Sequence, residues 1–144
     1  MSVCNNQAQV NPILMKTNLA RGLIGAVFLM NVQSAVAFLL WPGEYAPAFE
    51  LGGVAGLAMV RGLGVLFLMW NVPYAVALWH PVRQRNFLLA ALVMQAIGLV
   101  GETWIYSSLP ATSGILRVSL LRFIVFDALG LAALLAAAWL TRKS

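Results

Sequence analysis

Residues 115–140 read ILRVSLLRFIVFDALGLAALLAAAWL, and Arg117, Arg122 and Asp127 are the only charged side chains among them. An α-helix rises about 1.5 Å per residue, so about 20 apolar residues cross the roughly 30 Å hydrocarbon layer of a bilayer. This stretch is long enough to cross. Three further runs, 19–41, 53–79 and 87–106, match it in length and character. Between the runs lie WPGEYAP (41–47), HPVRQRN (80–86) and SSLPATSG (107–114), where Pro and Gly stop helices and the Ser/Thr cluster suits a new start. Connections this short make successive helices antiparallel neighbours. The pattern predicts an all-α, up-down-up-down bundle of four transmembrane helices over 19–144, preceded by a polar tail over 1–18.

Composition agrees. Of 144 residues, 62% are hydrophobic and 9% charged, with a mean hydropathy of +0.88. A soluble domain of this size needs more polar surface to cover its core. The net charge of +5 comes from scattered residues, with no basic stripe interleaved with aromatics, so nucleic acid is not an expected partner. The lone cysteine, Cys4, excludes an internal disulfide and a cysteine-based metal cluster. The first apolar run is too long for the core of a signal peptide, and no A-x-A site closes it. No H-E-x-x-H, G-x-S-x-G, P-loop or dinucleotide fingerprint occurs, so no metal site and no catalytic residue are expected.

Orientation follows from the basic residues. Lys16, Arg83, Arg85, Arg142 and Lys143 flank the runs on one side, whereas the first and third loops carry Glu44 and Glu50 and no cation. The positive-inside rule places both termini in the cytoplasm, in a bacterial cytoplasmic membrane. Trp41, Tyr45, Trp79, Tyr106 and Trp139 fall at run ends, where an aromatic belt sits.

Helices 1 and 2 share residues in register. Residues 21–38 against 61–78 repeat Arg21/Arg61, Gly22/Gly62, Leu23/Leu63, Asn31/Asn71, Val32/Val72 and the Ala-Val-Ala triplets at 35–37 and 75–77. An antiparallel pair of this kind resembles the inverted repeats of transporters; a small apolar alphabet also produces such matches.

Polar groups at membrane depth are costly and mark the place to look for function. Here they recur: Arg21 precedes Asn31, Arg61 precedes Asn71, Arg85 precedes Gln95 and Arg117 precedes Asp127, each by ten positions. Ten helical residues cover about 15 Å, half the hydrocarbon layer, so each Arg lies near a helix start and each partner near the midplane. Asn31, Asn71, Gln95 and Asp127 thus form a candidate midplane cluster. It reads either as interhelical glue, at about 0.6 kcal/mol per hydrogen bond, or as a ligand or proton site.

A second group falls in the leaflet on the side of the first and third loops: Arg61, Glu102, Arg117 and Arg122. Glu102 shares a face with Gln95 and Gly98, and a pairing with one of the arginines is expected. Pro73 frees the carbonyl of Met69 and kinks helix 2 beside Asn71. Small residues at Gly52/Gly56 and Ala128/Ala132/Ala136 suit close helix approach. His80, the only histidine, is a candidate pigment or haem ligand, although the second histidine of a bis-histidine haem is missing.

The order of features resembles the small four-helix DoxX-like membrane proteins. The resemblance rests on Leu19-Ala20-Arg21-Gly22-Leu23-Ile24-Gly25-Ala26-Val27-Phe28, on Ala48-Phe49-Glu50-Leu51-Gly52, and on the short basic turn before helix 3. It implies association with redox or quinone-linked membrane complexes and transfers no catalytic residue; no particular cofactor follows. Two functions come out of the sequence. One is a non-catalytic accessory subunit of a larger respiratory or photosynthetic membrane complex, with other membrane subunits or itself as partners. The other is a binding or transport module for a small anion, lipid or quinone.

Overall fold

The structure, a computed structural model, describes residues 12–142. The predicted all-α bundle is present, built from α1 (Pro12–Leu40), α2 (Pro42–Tyr45), a 3-10 turn (Ala46–Phe49), α3 (Gly53–Trp70), α4 (Val72–Trp79), α5 (Arg85–Ser108) and α6 (Gly114–Thr141). Among the described residues, four spans are long and apolar enough to cross a membrane: Pro12–Leu40, Gly53–Trp79, Arg85–Ser108 and Gly114–Thr141. The chain is an integral membrane protein.

Its surface follows membrane logic. Val54, Trp79, Val100, Trp104, Leu129 and Trp139 lie exposed on the outside, whereas small residues such as Ala20, Ala35, Ala77, Ala91 and Ala137 are fully buried. Lipid tails accept large apolar side chains, while small residues inside let backbones come close. The tightest approach of a glycine to another helix's backbone is at Gly64, where an added Cβ would stand 2.8 Å from the Ala35 carbonyl oxygen and 2.9 Å from Leu39 Cγ. The predicted small-residue pairs behave differently. Gly56 packs against its own loop at Leu51, and Ala128, Ala132 and Ala136 face out of the bundle.

Two boundaries differ from expectation. Helix 1 is already formed at Pro12, so 12–18 is helical rather than tail. The rest of the expected tail, including Cys4, lies outside the described residues, as does Lys143. The first loop is partly structured as well. Glu50 ends the 3-10 turn with φ of 55°, its N–H reaching the Pro47 carbonyl at 3.0 Å, and Gly53 (φ 64°) opens α3. A left-handed φ is open to glycine without a Cβ penalty.

Helix 2 is broken, as Pro73 predicts. Pro73 has no N–H to return to Met69. At the break the Asn71 N–H reaches the Phe67 and Leu68 carbonyls, at 3.1 Å each, and its side-chain Nδ2 donates to Phe67 O at 2.6 Å. The break redirects the helix: α3 packs against α1, whereas α4 packs against both α1 and α5. Helix 1 has Gln33 in the position corresponding to Pro73 and runs unbroken, so the two sequence copies diverge. Their matched residues also differ in setting: Ala35 is buried and Ala75 exposed, Arg21 half-buried and Arg61 exposed.

The bundle therefore has two unlike halves. On the side of the termini, α1, α4, α5 and α6 close a ring around Ile24, Tyr74, Leu88 and Leu134. Arg21 ties this end: its guanidinium donates to the last carbonyl of α4, Trp79 O, at 2.5 Å. A cation at a helix C-terminus is worth about 0.3–1 kcal/mol. Arg21→Ala should therefore lower stability by about that amount in a detergent unfolding titration, and Arg21→Lys should recover part of it. An unfolding midpoint for Arg21→Ala equal to that of the wild type would remove this tie from the account.

Candidate functional site

The half facing the 42–52 and 109–113 loops is hollow. It encloses a cavity of about 400 Å³ lined by α1, α3, α5, α6 and the 45–49 segment. All four members of the predicted midplane cluster line it.

The cluster does not bond as a foursome. Gln95 is its hub, only 3% exposed. Its Nε2 donates to Asp127 Oδ1 at 2.8 Å, and its Oε1 accepts from the hydroxyl of Tyr74 at 2.5 Å. Tyr74, fully buried, also approaches Ala91 O at 3.2 Å. The amide thus orients both neighbours, and the chain Tyr74–Gln95–Asp127 links α4, α5 and α6. Two glycines make room for it. Asp127 Oδ2 lies directly against Gly98 of α5, and Gln95 Nε2 lies where a Cβ on Gly130 of α6 would be 2.7 Å away. Each polar residue nests on a glycine three positions beyond the other, which only an antiparallel helix pair in close contact allows.

Asn71 and Asn31 stand apart from this chain. Asn71 spends its Nδ2 on the Phe67 carbonyl at the helix break, and its Oδ1 is buried with no partner. Asn31 lines the cavity from α1.

The expected pairing of Glu102 with an arginine is not present. Glu102 lines the cavity, and its Oε2 is buried without a hydrogen-bond partner. The arginines are drawn elsewhere. Arg117 Nη1 donates to Leu109 O at 2.9 Å and Tyr106 O at 3.4 Å, with its guanidinium 4.2 Å from the Tyr106 ring centroid. Carbonyls left open at the end of α5, together with an aromatic face, supply what a carboxylate would have supplied. Arg61 is exposed on α3, away from the cavity. Of the predicted outer cluster, Glu102 and Arg122 share the cavity wall.

Above the polar floor the wall is aromatic. Phe38 packs edge-on to Tyr45 (centroids 4.9 Å apart) and Phe49 (5.8 Å), Phe49 stacks on Phe123 (5.9 Å), and Phe67 meets Phe123 edge-on (6.4 Å). Ser119 Oγ donates to Ala48 O at 2.6 Å and pins the 45–49 segment to α6 as a roof. A sequence reading sees these rings as apolar filling. Their convergence depends on the roof folding inward, for which the signal, Ala46-Pro47 ahead of Phe49, is local and weak.

His80 is outside this site. It ends α4 at the opposite side, exposed, beside a cleft of about 180 Å³ shared with Thr17, Arg21 and Arg83. Among the described residues no group of three or more His, Cys, Asp or Glu is placed to hold a metal ion.

No family model matches the chain, and neither a curated protein nor a solved structure does.

Proposed function

We propose that the chain is a membrane-embedded binding protein for a small, largely apolar ligand with a polar end. The ligand lies in the hollow half of the bundle, its polar end toward Asn31, Asn71, Gln95 and Asp127 and its body between the aromatic rings. The observation that carries this reading is the cavity itself. Its volume of about 400 Å³ falls in the range of ligand sites, roughly 300–1,000 Å³. Holding helices together needs the Gln95–Asp127 hydrogen bond but not an aromatic-walled space above it. Packed interiors have few voids larger than a water, so a hollow this large is filled in the membrane, and its polar floor under an aromatic wall favours a ligand with a polar end over a lipid tail.

Protein purified in mild detergent from its native membrane should release, on organic extraction, one small-molecule species at a constant ratio to the chain. Extraction of annular lipid alone, in the proportions of the bulk membrane, would reject the reading. A second reading, a subunit of a larger membrane complex, has one observation in its favour: the Ala128/Ala132/Ala136 row faces outward, where a helix of another subunit can approach closely. Co-purification of other subunits in the same preparation is its signature.

Lys16, Arg83, Arg85 and Arg142 support an orientation with both termini in the cytoplasm, which puts the cavity in the outer leaflet. With Cys4 replaced by Ser, single cysteines in 42–47 or 108–113 should react with an impermeant thiol reagent on intact cells. Labelling at position 84 instead would invert the topology.

A further inference from the structure

Three sides of the cavity are closed, and the fourth is not. Toward the loops, Phe49 stacks on Phe123 and Ser119 holds Ala48, so the roof is pinned. Toward the termini, Tyr74 bonded to Gln95 closes the floor over a packed core. Around the circumference α1 packs against α3 and α6, and α5 packs against α6. The remaining seam, between α3 and α5, has no comparable packing, because the break at Asn71 hands the contact with α5 to α4, below the cavity. Trp70 on α3 and Met94 on α5 line the cavity from the two flanks of this seam.

The unsatisfied groups give the chemistry of the occupant. Asn71 Oδ1 and Glu102 Oε2, also on α3's end and on α5, are buried acceptors without donors among the described residues. Buried polar groups are normally satisfied, and each orphan is costly to keep. An anionic head would meet Glu102 and Asp127, with Arg122 the one basic residue on the cavity wall among the described residues. A hydroxyl head avoids that conflict: it accepts from the guanidinium and, once the Asn71 or Glu102 side chain turns its buried oxygen into the cavity, donates to it. We infer that the ligand is a neutral, hydroxyl-bearing, lipid-soluble amphiphile that enters sideways from the bilayer through the seam between α3 and α5. This rests on the cavity being a ligand site. A molecule of this kind never leaves hydrocarbon on its way in, which suits a site roofed by the 45–49 segment and floored by Tyr74 and Gln95.

The test uses the full chain in phosphatidylcholine vesicles with a diazirine-bearing hexadecanol as probe. Photolabelling should concentrate on Phe67, Trp70 and Met94 and fall severalfold with excess hexadecanol. Asn71→Leu should weaken that competition about fivefold, the equivalent of one lost hydrogen bond. Met94→Trp narrows the seam and should slow labelling of Phe67 about tenfold, while Val93→Trp, on the exposed lipid face of α5, should not. If Met94→Trp does not fold, Trp70→Ala should instead speed labelling. Saturable labelling of the cavity residues at unchanged rate in either seam variant would overturn lateral entry and leave the binding reading standing. Labelling spread evenly around the bundle and insensitive to competitor, in the wild type itself, would overturn both.

Discussion

Gly64→Leu should abolish the folded bundle, and Gly64→Ala should destabilise it by about 1–3 kcal/mol, the usual cost of overpacking a fitted core. The reason is what the new atom meets. A Cβ at Gly64 would stand 2.8 Å from the Ala35 carbonyl oxygen and 3.2 Å from Leu39 N, both backbone atoms of α1 that cannot rotate away. The helices must separate, and the α1–α3 contact is the main long-helix contact that α3 makes. Gly62→Ala is the matched control: nothing lies within 4 Å of its Cβ position, so its stability should equal or slightly exceed that of the wild type. Folded fraction against denaturing detergent measures both. Equal tolerance at 62 and 64 would mean that α3 does not seat on α1 as described.

Asp127→Leu should cost about 1–2 kcal/mol, because it leaves Gln95 Nε2, a buried donor, with only the long 3.5 Å bond to the Asp127 backbone carbonyl and puts branched carbons against Gly98. That is at the upper end for membrane hydrogen bonds, which average about 0.6 kcal/mol, since removing one partner costs more than the bond contributes. Asp127→Asn keeps the shape and an oxygen that accepts from Gln95, so it should fold like the wild type. Its bound-ligand content, however, should fall, because the carboxyl is part of the cavity floor. Tyr74→Phe gives an independent view of the same chain, removing the donor to Gln95 Oε1 while filling the same space. A double-mutant cycle of Tyr74→Phe with Asp127→Leu, each of which removes one bond to Gln95, should show coupling above the roughly 0.3–0.5 kcal/mol of independent sites. If Asp127→Leu and Asp127→Asn are tolerated alike in both stability and bound ligand, Asp127 is neither a structural nor a binding residue.

The spans were legible because they depend on length and apolarity, which a sequence carries directly. The start of helix 1 was not, since Lys16, Thr17 and Asn18 break the apolar run while the backbone stays helical beyond hydrocarbon depth. The break in helix 2 was written in Pro73. The ten-residue Arg spacing put the polar residues at matching positions along their helices, and all four line one cavity. Their bonding did not follow, because partners in space depend on helix rotation. Tyr74, one turn beyond Asn71 and on the same face, was available as a fourth-helix donor and went unread. Gly98, which the sequence places on the face of Gln95 and Glu102, and Gly130, three residues beyond Asp127, mark where each side chain lies on the other helix. The Glu102 pairing failed because opposite charge in one leaflet is a weaker guide than the open carbonyls at the end of α5, which claim Arg117.

A density map of the protein taken from its native membrane shows whether the hollow half of the bundle holds a ligand. Continuous non-protein density is expected between Phe38, Phe67 and Phe123, ending at Asn71 and Gln95, with a tail emerging between α3 and α5. A cavity collapsed by rotation of Phe123 and Phe126 into it, with Gln95 and Asp127 still bonded beneath, would mean that no ligand is held there and leave the polar cluster as helix glue.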